Sequence, residues 1–143
     1  MKTVDLTNQP SEDKALLHHI DAGIATITFN RADQGNALNF EMVTLFADAV
    51  DEILNTPSVR VIVLTAAGKS FCLGGDIRAF IQEREDLPAY VISLVDPLNV
   101  TLSKLASSGI PIVSVLNGAV GGAGIGLALI ADFVLAAESV KLR

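Results

Sequence analysis

The sequence predicts an α/β fold, and three observations carry that prediction. Two β-branched runs, Val59–Thr65 and Ile112–Leu116, suit strands covered on both faces. Segments on either side of them place apolar residues at helical spacing. Each run also feeds a glycine-containing loop that opens a further helix, the alternation of a layered α/β domain.

The elements run in order along the chain. Residues 1–14 read as a flexible lead-in, and 15–143 as one domain. Leu16–Ile20 and Ile24–Phe29 flank Asp21-Ala22-Gly23, a hairpin signal in which glycine supplies a positive φ. Asn30–Asn39 is rich in turn residues, and Asn39 is placed to cap a helix. Met42, Leu45, Phe46, Ala49, Val50 and Ile53 form one face of that amphipathic helix, which ends before Asn55-Thr56-Pro57. After the first β-branched run comes a loop at Ala66–Asp76 and a short helix at Ile77–Arg84. Ala89–Leu105 repeats the helical spacing, with Pro97 expected to force a kink or a restart capped by Asp96. The second run leads into a glycine loop at Asn117–Ala123, a helix of small residues at Gly124–Ala131, and a third strand at Phe133–Ala137. That last strand is left with an open edge, as expected of part of a longer polypeptide.

Composition narrows the function. Of the 143 residues, 50% are hydrophobic and 18% charged, a globular balance rather than a disordered one. A net charge of −6 argues against nucleic acid or an anionic membrane as the main partner. A single cysteine, Cys72, excludes a disulfide framework, and nothing resembles a four-ligand zinc cluster. The polar start MKTVDLTNQPSEDK lacks the apolar core of a secretory signal, so a cytoplasmic or other reducing location is expected. Leu105–Ala131 carries no charge, but Ser107, Ser108, Gly109, Pro111 and Asn117 break it up; a strand, a tight loop and a short helix account for it better than a membrane span.

Two strand–loop–helix junctions, residues 61–80 and 111–132, carry the candidate chemistry. Helix N-termini present unpaired N–H groups, and two such loops at one sheet edge can aim two donors at one oxygen. The plainer reading is that the glycines only allow tight turns and close packing. Other motifs fail on spacing. Gly68-Lys69-Ser70 has Val63 where a phosphate loop needs its first glycine, and three residues after Gly124 stands Leu127 where a dinucleotide loop needs glycine. His18 and His19 are neighbours on a strand and so point to opposite faces. Cys72 has no His–Asp set beside it and is expected to be a packing residue.

Phe71-Cys72-Leu73-Gly74-Gly75-Asp76-Ile77 resembles the F-x-x-G-x-D-[IL] signature of the enoyl-CoA hydratase/isomerase (crotonase) superfamily. Phe29-Asn30-Arg31 with Asn36-Ala37-Leu38-Asn39, the Val59–Thr65 run, Ile110–Val115 with Asn117-Gly118 and Gly121–Gly124, and Asp132 with Ala136–Ser139 resemble further blocks of that family in order and spacing. The resemblance implies a crotonase-like spiral of ββα units, truncated at its C-terminal end. It implies trimers or hexamers, and an acyl-CoA thioester as substrate with no separate cofactor. By position, the Gly75 and Ala123 amides would be the oxyanion donors. Asn36, Ala37, Leu38, Leu73, Gly75, Asp76, Ile77 and Arg78 would line the coenzyme A site. Arg31, Lys69 and Arg78 lie near enough in sequence to offset phosphate charge or to be plain surface cations.

The departures bear on mechanism. Hydratases of the family carry a glutamate three residues beyond the second donor, and here that place is Gly126. Water addition by two carboxylates therefore lacks one partner. A double-bond shift, which needs one base, is the expected reaction, with the base beyond Arg143 and the 143-residue chain expected to be inactive alone. The alternatives are an enoyl-CoA hydratase, a non-catalytic acyl-CoA-binding or assembly module, and, more weakly, a nucleotide-phosphate binder.

Overall fold

A computed structural model describes residues 13–143, so most of the expected lead-in lies outside the described residues. Strands β1 (Leu16–Asp21) and β2 (Ile24–Phe29) form an antiparallel hairpin. Ala22 and Gly23, with φ of 48° and 83°, supply the two positive-φ positions that such a tight turn requires. Helix α1 (Phe40–Leu54) starts at Asn39, whose side chain accepts from the Met42 amide as expected. Its apolar stripe of Met42, Val43, Phe46, Ala49, Val50 and Ile53 is fully buried. Phe46 meets Phe29 of β2 at 5.6 Å between ring centroids, and Phe29 meets Phe71 edge-on at 5.7 Å.

β3 (Val61–Ala66), β5 (Ile112–Leu116) and β7 (Phe133–Ala136) extend the hairpin into a five-stranded sheet of order β1-β2-β3-β5-β7, parallel from β2 onward. The two glycine loops are not simple loops. Each contains a short strand, β4 (Ser70–Cys72) and β6 (Ala119–Val120), and these pair in parallel as a second sheet. Leu142 then bridges Val120, so the chain end lies beside β6 just as β7 lies beside β5. From β3 onward each turn of the chain thus adds one strand to each sheet, which is the spiral of ββα units that the family resemblance implies. Strands of two or three residues carry no alternation long enough to read in a sequence.

One expectation is corrected. The helix across Pro97 does not restart: α3 runs unbroken from Leu87 to Ser107, and Asp96 is an internal, exposed residue rather than a cap. Proline removes one backbone donor, but burial of Leu94, Leu98, Thr101 and Leu105 along one side holds the helix together on both sides of it. The third strand forms at its expected place and is exposed: Phe133 is 65% and Leu135 60% exposed. Helices α2 (Ile77–Gln82) and α4 (Ala123–Leu129) complete the fold, both opening from the second sheet. Among the described residues no helix is long and apolar enough to cross a membrane.

Candidate active site

The two loops pack backbone against backbone. A Cβ on Gly118 would lie 2.0 Å from the Lys69 carbonyl oxygen, and one on Gly124 would lie 2.2 Å from that of Cys72. Gly74, at φ 98°, would bring a side chain to 3.2 Å from the Gly121 oxygen and 3.3 Å from the Ala123 nitrogen. No larger residue fits these places, so the glycines bring the start of α4 against the segment leading into α2.

Leu38 forms a parallel bridge with Gly75: its amide donates to the Gly74 carbonyl at 2.7 Å, and its carbonyl accepts from the Asp76 amide at 2.9 Å. In such a bridge the middle residue turns its own N–H away from its partner, so the Gly75 amide faces away from Leu38. Ala123 is the first residue of α4, where a helix leaves its amides unpaired. Among the described residues neither amide donates a hydrogen bond. Both residues border one cavity of about 140 Å³, walled by Leu38, Val43, Phe80, Val91, Leu94, Val95 and Leu98.

A second hollow, a groove of about 370 Å³, adjoins through Gly75 and is lined by Ala37, Leu73, Asp76, Ile77 and Arg78 together with Asp33, Gln34 and Gly35. Leu73 and Ile77 are exposed there. Of the eight residues expected at the coenzyme A site, six therefore line this groove, and Leu38 lines the apolar cavity instead. Asn36 lines neither. It is buried, its side chain accepts from the Arg31 amide and donates to the carbonyls of Ala67 and Ser70, and it fixes the loop from within.

Arg31 is likewise an internal residue. It pairs with Asp76 at 2.8 Å, donates to the Ala37 carbonyl at 2.6 Å, and also donates to the Gln34 side chain. Its guanidinium is committed, which corrects its expected availability for phosphate; Lys69 and Arg78 remain exposed. Asp76 caps α2 by accepting from the amides of Arg78 and Ala79. Burial of the Asp76 carboxyl opposes ionisation. The Arg31 hydrogen bond and charge, with the two capping amides, outweigh it and hold the group below the usual carboxylate value. A lowered acid stabilises the fold above its ordinary unfolded value, near about 4, and that stabilisation is lost as pH falls through the folded value. Asp76→Asn is expected to cost about 1–3 kcal/mol in urea unfolding at pH 7, and the gap to the unaltered chain should close below about pH 4. A gap that stays constant down to pH 3 would contradict this account.

The remaining candidates are structural. Cys72 is fully buried, and burial pushes its thiol up to about 11, so it is protonated and inert at neutral pH. His18 bonds Glu52 of α1 at 2.9 Å. Gly126 has open space around the position of a side chain. The cavity wall on α2 and α3 was the part hidden in the sequence. Val91, Leu94, Val95 and Leu98 give the spacing of a core-facing helix, and only the packing shows that this face borders a void.

The chain matches known proteins in sequence and in fold. A family profile described as enoyl-CoA hydratase/isomerase matches residues 19–142. The chain belongs to the enoyl-CoA hydratase/isomerase family. It is 32% identical over 127 residues to the 1,2-epoxyphenylacetyl-CoA isomerase of Escherichia coli, covering 88% of this chain and 48% of that protein. It is 30% identical over 132 residues to the trans-2-decenoyl-[acyl-carrier-protein] isomerase of Streptococcus mutans, covering 90% and 49%. A solved structure from Pseudomonas aeruginosa superposes with a TM-score of 0.84 at 30% identity, over 99% of this chain and 57% of that one. The fold is thus the crotonase fold of the enoyl-CoA hydratase/isomerase family, and the chain spans about half the length of the relatives it matches.

Proposed function

We propose that this chain carries the thioester-binding half of an enzyme that forms an acyl-CoA enolate, with the Gly75 and Ala123 amides as its oxyanion hole. One observation carries the reading: both amides lack a partner among the described residues, and both residues border the same apolar cavity. An enolate concentrates charge on one oxygen, where preorganised donors in a dry site are worth several kcal/mol. The adjoining groove suits the carrier arm, with apolar contacts at Leu73 and Ile77 and a cation at Arg78. The exposed apolar residues of β7 support burial against a further segment or another copy, as a homo-oligomer would provide.

A double-bond shift is favoured over hydration. Gly126 offers no carboxylate, and a shift needs only one base to remove and return a proton. A second observation distinguishes the chain by itself: among the described residues no titratable side chain lines the cavity, so in this reading they bind and polarise the thioester and move no proton. A polypeptide carrying this chain at the length of its relatives should shift the double bond of a 3-enoyl-CoA faster than it hydrates a 2-enoyl-CoA. The 143-residue chain should do neither while still binding the esters. Efficient hydration by the 143-residue chain would overturn the proposal.

A further inference from the structure

We infer that the cavity beside Gly75 and Ala123 admits an acyl group of no more than about six carbon atoms, its thioester carbonyl included, and that Phe80 sets this limit. The inference rests on the thioester reading above and names the acyl class of that site: short chains or a single ring. The cavity measures about 140 Å³, and a dry protein cavity of about 150 Å³ holds one benzene. Apart from the two amides that take the thioester oxygen, its walls are Leu38 and the apolar side chains of α1, α2 and α3, so a hydroxyl or carboxylate farther along the acyl group would find no hydrogen-bond partner and be rejected.

Phe80 stands where the limit is felt. Its ring tip lies 2.5 Å from where a Cβ on Gly75 would be, beside the donor and hence beside the reacting carbonyl. The ring packs edge-on against Tyr90 at 6.0 Å between centroids, with one ring on α2 and the other on α3. Two helices buttressed in this way resist being pushed apart by a longer chain.

Calorimetric titration of the chain with coenzyme A and with its butyryl, hexanoyl and decanoyl esters tests the inference. Each methylene that enters the cavity should tighten binding about fourfold, so hexanoyl should exceed butyryl by about sixteenfold and decanoyl should gain nothing further. Phe80→Ala should make decanoyl bind at least about tenfold tighter than hexanoyl. Val95→Phe, at a half-exposed wall position, should erase the advantage of hexanoyl over butyryl, and it gives an independent reading if the first variant does not fold. Affinity that climbs through decanoyl in the unaltered chain would overturn the size limit and leave the thioester reading standing. A Phe80→Ala chain with no gain for decanoyl would overturn the role of Phe80. Esters that bind no tighter than coenzyme A in every variant would overturn both readings.

Discussion

Replacing Ala123 by proline is expected to lower the rate of enolate formation about 10²- to 10³-fold in a full-length protein, the usual cost of losing one oxyanion donor. The substitution carries a small structural cost. Ala123 is the first residue of α4, a position where proline is well accommodated and where the lost N–H has no partner within the helix. The thermal midpoint should therefore move by no more than a few degrees. The same change can be read without turnover, because polarisation of a thioester carbonyl lowers its stretching frequency. Difference vibrational spectra of bound 2,4-hexadienoyl-CoA should show that lowering shrink in the Ala123→Pro chain. A folded variant with an unchanged rate and an unchanged carbonyl band would remove Ala123 from the oxyanion hole.

Gly124→Val should be the most destabilising single change in the loops, at about 4 kcal/mol or more, beyond the ordinary range for point substitutions. The added Cβ would meet the Cys72 carbonyl oxygen at 2.2 Å, the carbonyl carbon at 2.9 Å and the cysteine Cβ at 2.9 Å. Little there can give way, because Cys72 is buried within β4 and its carbonyl accepts from the Gly121 amide. The two loops would have to separate, and the register that sets Ala123 beside Gly75 would go with them. Gly126→Ala on the same helix is the control. Its side chain would meet nothing within 4 Å, and better helix propensity should stabilise by up to about 1 kcal/mol. Urea unfolding of both variants measures the contrast, and equal effects would refute the close-packing account.

Periodicity made the larger elements legible. The α1 stripe, the strands on either side of it and the hairpin turn all appear within a residue or two of their expected places. Each has enough residues for local pattern and turn chemistry to agree with the fold. Pro97 misled because the expectation weighed its missing N–H and not the tertiary burial that carries α3 past it. Phe133–Ala136 is a strand as expected: β-branched and aromatic residues mark it, although they do not reveal whether anything covers it.

For the proposed site, the sequence by itself pointed to the two backbone segments that border the cavity, since glycine spacing around Gly75 and Ala123 is a local property of two loops and carries a recognisable signature. Only the tertiary structure decided that Arg31 and Asn36 are spent holding those loops rather than meeting a ligand, because their partners lie up to 45 residues away in Asp76, Ala67 and Ser70. The tertiary structure alone also decided that part of an ordinary helical stripe on α3 borders a cavity as well as the core. A side chain's spacing selects a face of its helix; what that face meets depends on the packing of α2, α3 and α4 around it.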